Sequence, residues 1–164
     1  MQLRSTNMKK ILIVIAVLLS FITSIAFGQD IASCSNPKGK SYFPELGGVS
    51  KNMSGWADDG ITGGITTVKK IAKNEYDIVF YDVTKTIISS IQDGGNVLLL
   101  NKGKNVFSLL VVYPGKTAEI YTFLKNKSNK LEYIQITSRA GDGVTIAKSS
   151  MLKGECEFID FNSL

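Results

Sequence analysis

The chain has 164 residues, with 19 Lys and Arg against 14 Asp and Glu, two cysteines and no histidine. The lack of histidine removes the commonest general base and the usual Ser-His and Cys-His nucleophile arrangements. Of the formal charge of +5, three cations (Arg4, Lys9, Lys10) and no acids fall in the first 28 residues, leaving 16 against 14, or +2, which does not mark a nucleic-acid binder.

Residues 1–28 read as a secretory signal peptide. A cationic start is followed by an apolar run from Ile11 to Leu19, continued by Phe21 to Phe27, and the run ends at Ala26-Phe27-Gly28. Positive, apolar, then small-x-small is the export pattern, with Gln29 as the first mature residue. Met8-Lys9-Lys10 has the look of a bacterial start, with Met8 as an alternative initiator. A membrane anchor is the competing reading, but the apolar stretch is short for a bilayer core of ~30 Å and Asp30 follows it rather than Lys or Arg. A lipobox at Ile31-Ala32-Ser33-Cys34, with Cys34 acylated, is a third reading; Gly28-Gln29-Asp30 separates it from the apolar run.

Residues 29–164 make one domain, all-β, of about eight strands in an antiparallel meander closed as a barrel or folded as a β-sandwich. Residues 29–64, rich in Gly, Ser and Asn, read as an irregular segment packed on the sheet, with a short strand at Ser41 to Phe43. Residues 65–164 form the strand core. Glu75 to Val83 alternates with Tyr76, Ile78 and Phe80 on one face, and runs at Thr86–Ile91 and Asn96–Leu100 follow. Val106 to Tyr113 is apolar on both faces and reads as a central strand. Pro114-Gly115 suits a type II turn into a hairpin of Thr117–Leu124 and Leu131–Thr137 with a Lys-rich tip. Val144–Ser149 and Cys156–Ile159 close the domain.

Cys34 and Cys156 stand near opposite ends of the mature chain, and in an exported protein a lone pair reads as a disulfide. Closing so long a loop is worth about 5 kcal/mol in the chain-entropy model.

Gly39-Lys40-Ser41 imitates the end of a phosphate loop, but Cys34 stands where the first glycine belongs. The acidic turns at Asp58-Asp59-Gly60, Asp93-Gly94-Gly95 and Gly141-Asp142-Gly143 lack the spacing of a calcium loop. No metal or cofactor is expected, nor any nucleic-acid partner. Asn52-Met53-Ser54 and Asn126-Lys127-Ser128 match glycosylation sequons, which matter only in a eukaryotic host. The most suggestive residues are Trp56 with Tyr42, Asp58 and Asp59, a loop for a ligand or partner. The plainer reading of Trp56 is a core plug at one end of the sheet.

These features point to an exported, non-enzymatic binding module, periplasmic or secreted, with a protein partner such as a cell-envelope hydrolase or a small ligand, and no membrane span after cleavage. A small outer-membrane barrel is one alternative. A hydrolase pairing Asp58 or Asp59 with Glu119 is another, although Glu119 is expected on the solvent face of its strand.

Overall fold

The computed structural model describes residues 28–81 and 86–164. The proposed leader, apart from its last residue Gly28, lies outside them. Ten strands run in chain order: β1 (Gln29–Phe43), β2 (Gly55–Gly60), β3 (Ile65–Ala72), β4 (Glu75–Tyr81), β5 (Ile87–Ser89), β6 (Asn96–Lys102), β7 (Val106–Tyr113), β8 (Thr117–Lys125), β9 (Leu131–Arg139) and β10 (Lys148–Ile159). Among the described residues the only helical element is a 3-10 turn at Lys51–Met53, and no helix is long and apolar enough to cross a membrane.

All ten strands belong to one antiparallel sheet curled into a half-barrel, in the order β5-β4-β3-β1-β10-β9-β8-β7-β6, with β2 also paired to β1. From β6 to β10 the chain is the expected meander. The departure is β1, the longest strand, in the segment expected to be irregular. It lies at the hub of the sheet, with β10 along one edge. Its other edge is shared: β3 pairs with its first half and β2 with its second.

The change of partner falls at a bulge between Ser35 and Lys38. Asn36 there takes φ 50°, a left-handed value that Asn tolerates better than most residues. Its N–H donates to the Gly64 carbonyl at 3.0 Å, and its Oδ1 accepts from the Gly63 N–H at 2.8 Å. Pro37 has no N–H to lose, and its carbonyl accepts from Ile61 N–H at 2.9 Å. The bulge thus hands the edge of β1 from one partner strand to the next while its polar groups stay paired.

Cys34 and Cys156 are direct cross-strand partners on β1 and β10, with their sulfurs 2.03 Å apart. The bond therefore sits inside a ladder rather than pinning loose ends.

The concave face holds the core. Phe107, Phe123 and Tyr133 form a stack across β7, β8 and β9, with ring centroids 4.9 and 5.8 Å apart. Gly154 faces Tyr133, and a Cβ there would meet the ring at 2.3 Å, so the glycine makes room for the aromatic. Phe161 caps this end edge-on to Phe107 at 6.2 Å, and Lys70 Nζ donates to the Ser163 carbonyl at 2.6 Å. Fully burying each such apolar side chain contributes about 1.5–3 kcal/mol.

β7 is the strand next to the β6 edge rather than a central one. Its second apolar row, Val106, Leu110 and Val112, lies on the convex side and is only partly covered.

Candidate functional site

Because side chains alternate along a strand, cross-strand register stacks the concave face into tiers. The aromatic stack is the floor. Above it Tyr121, Gln135 and Leu152 are successive partners on β8, β9 and β10. The next tier is polar: Glu119, Thr137, Ser150 and Ser41, continuing onto β1. Thr117, Arg139 and Lys148 form the rim. Phe80 of β4 and Ile88 of β5 face these tiers from the far wall, with the Phe80 ring 5.8 Å from that of Tyr121. Between the walls lies a cavity of about 470 Å³.

A directed hydrogen-bond chain crosses its floor. Gln135 Nε2 donates to the Tyr121 hydroxyl at 3.1 Å, and that hydroxyl donates to Glu119 Oε2 at 2.5 Å. Burial pushes the Glu119 carboxyl above its ordinary value, against the Tyr121 hydrogen bond and the fields of Arg139 and Lys148. Burial likewise raises Tyr121, well above the usual phenol range, with the neighbouring Glu119 charge adding to it.

Beside this chain Asp59 is locked in place. It lies across from Gly39, and its Oδ2 accepts from Ser41 Oγ at 2.5 Å and from Lys148 Nζ at 2.7 Å. Its Oδ1 accepts from the Gly60 N–H at 2.8 Å. Burial works to raise this carboxyl, but the Lys148 and Ser41 bonds outweigh it and the net shift is downward.

Of the residues singled out from sequence, the structure brings Tyr42, Trp56 and Asp58 together on the convex face and turns Asp59 to the other side. Tyr42 and Trp56 are cross-strand partners with ring centroids 5.5 Å apart. Trp56 is 73% exposed, so it is no core plug: Gly55-Trp56-Ala57-Asp58-Asp59-Gly60 is an edge strand, not a loop folded over the sheet. Asp58 pairs with Lys40 at 2.6 Å on the exposed surface, a contact worth about 0–1 kcal/mol.

Glu119 is corrected in the opposite sense. It shares the concave face with Tyr121 and Phe123 instead of facing solvent, because Thr117-x-Glu119-x-Tyr121-x-Phe123 is one alternating row. That row was legible, whereas the partners Gln135 and Arg139 carry no sequence signal of their own. Gly39-Lys40-Ser41 lies within β1, an extended strand that offers no phosphate cradle. No group of three or more metal-ligating side chains occurs among the described residues.

The convex face carries a second feature. Met151, Ile136, Ile120, Leu110 and Leu98 are successive partners from β10 to β6 and form an apolar row. At its β1 end, Trp56, Ile134, Ile136 and Met151 border a groove of about 730 Å³ rimmed by Lys38, Lys40 and Lys153.

Comparison of the chain with protein-family models, with curated proteins and with solved structures finds no match, so its geometry alone carries the functional reading.

Proposed function

We propose that the chain is an exported, non-enzymatic binding module of the periplasm or extracellular space that holds a small molecule in its concave cavity. The observation that carries this is the Gln135–Tyr121–Glu119 chain, which ends at the Glu119 carboxyl in the lining of a cavity of about 470 Å³. Ligand sites typically measure about 300–1,000 Å³ and combine apolar walls with a few fixed polar groups. Phe80, Ile88 and Leu152 supply the walls and Glu119, Thr137 and Ser150 the polar groups.

A carboxylate hydrolase fits less well. Asp59, paired with Glu119 in the sequence reading, has both of its oxygens held, by Ser41, Lys148 and Gly60. An outer-membrane barrel needs an apolar belt about 25 Å tall. The tiers beside the convex row hold apolar Val112 and Ile134 but also Ser149, Ser138 and Ala118 on one side and Lys153, Thr122 and Ser108 on the other, so the apolar surface is not a continuous belt. A protein partner on the convex face is the second reading, favoured by the exposure of Trp56 beside that row.

A fragment screen by amide NMR tests the cavity. Binders should move the amides of Thr137, Gln135 and Phe80 together. Shifts confined to β2 and the convex groove would favour the partner reading instead.

A further inference from the structure

The charges at the cavity rim are unequally committed. Lys148 is spent on Asp59 at 2.7 Å. Lys116 and Arg139, which also line the cavity, have no ion-pair partner among the described residues. Arg139 stands directly across β9 and β10 from Lys148 and across β8 and β9 from Thr117, so three cations crowd one side of the mouth. The opposing acids are Asp93, on the Tyr113 side, and Glu119, one tier deeper. Glu119 already accepts one hydrogen bond, and its burial disfavours the ionised form.

An organic cation entering this mouth would pass the cations to reach a carboxyl that resists ionisation. An anion would meet two unpaired cations at the rim before any acid. The body of the ligand is constrained as well. The aromatic stack fills the floor, so there is no channel for a long tail. A compact group laid against Phe80 and Ile88 would turn its other edge toward Glu119 and Thr137.

We infer that the cavity takes a compact organic acid, its anionic group held at Lys116 and Arg139, its apolar face on Phe80 and Ile88, and a hydroxyl or similar polar edge against Glu119 and Thr137. The inference rests on the cavity reading above and adds the charge and shape of the occupant. Arginine provides a planar fork suited to carboxylate, and the charge-assisted contact sets orientation as well as affinity.

The test is a matched series differing only in charge: 4-hydroxyphenylacetate, tyramine and tyrosol, titrated by calorimetry and followed by amide NMR on the full mature chain. The acid should bind at least about tenfold more tightly than the amine, a difference of about 1.4 kcal/mol, and shift the Thr137, Gln135 and Phe80 amides. The double variant Lys116→Gln, Arg139→Gln should abolish the preference; both residues are exposed, so the fold should be retained, which an unchanged melting curve would verify. Equal or tighter binding of the amine at the same amides would overturn the anionic class while leaving the cavity reading intact. No binding by any of the three would overturn the ligand class, and the wider fragment screen would then decide the cavity reading separately.

Discussion

Tyr121 donates its hydroxyl hydrogen to Glu119 at 2.5 Å from two positions further along the same face of β8. The two side chains sit on the boundary between the aromatic core and the cavity, so one hydrogen bond belongs both to the fold and to the site. Tyr121→Phe would leave Glu119 and Gln135 each short of a partner. The expected loss is about 1–3 kcal/mol, read as a lower urea midpoint with an unchanged slope.

The pH dependence of stability should separate the two acids. Tyr121 on its own strand, Tyr113 on β7, Arg139 on β9, Lys148 on β10 with its partner Asp59, and Lys116 in the β7–β8 turn are the titratable and charged neighbours of Glu119. Burial, partly offset by Tyr121, Arg139 and Lys148, raises the Glu119 value in the folded state above 4.5, so the folded chain holds that proton more tightly than the unfolded chain. Stability from this group is therefore present at low pH and declines as pH climbs from about 4.5 through the folded value. Asp59 acts in reverse. Its folded value is lowered, so its contribution is present above 3.8 and is lost as pH falls. Glu119→Gln should flatten the decline on the upper side and leave the acid limb in place, as measured by urea midpoints from about pH 2 to about pH 8.

Trp56, the only tryptophan, offers a simple optical check. With 73% of its surface exposed, acrylamide should quench native and urea-unfolded protein to nearly the same extent. Trp56→Ala should change stability by no more than about 0.5 kcal/mol. Strong protection from the quencher in the native state would mean that β2 is not where the structure puts it.

The hairpins were largely legible and the hub was not. β4 and β6 to β9 announce themselves through alternation and turn residues, and their bounds fall close to those read from sequence. β1 is hidden because its inner row contains Ser41, Gly39 and Pro37, whose burial depends on neighbours across the sheet rather than on apolarity. β2 resembles a turn because Gly55 and Gly60 bracket two aspartates. The runs read at Val144–Ser149 and Cys156–Ile159 become one strand, β10, that begins only at Lys148, with residues 144–147 outside it; Lys153-Gly154-Glu155 interrupts its apolar pattern, although Gly154 is required under Tyr133. At the site, the alternation from Thr117 to Phe123 did place Glu119 beside Tyr121, but the cavity depends on register between β8, β9 and β10, which a single sequence does not display.

Two substitutions test those hidden positions. Gly154→Ala forces a methyl group to within 2.3 Å of the Tyr133 ring and 2.6 Å of the Ser35 carbonyl oxygen, so it should destabilise by at least about 1–3 kcal/mol. Cys34→Ser with Cys156→Ser should cost about 2–5 kcal/mol. The ten-stranded sheet should survive that loss, since β1 and β10 pair on both sides of the bond, and far-UV circular dichroism of the variant should match that of the parent.

The cavity is the central claim, and native mass spectrometry of protein purified without denaturation from its own host tests it most directly. The expected spectrum shows a chain beginning at Gln29, lighter by the two cysteine hydrogens, with one small-molecule adduct per chain that is released on unfolding. A bare chain under every gentle condition, or an adduct that is a second protein, would contradict a small-molecule site in the half-barrel and move attention to the convex groove beside Trp56.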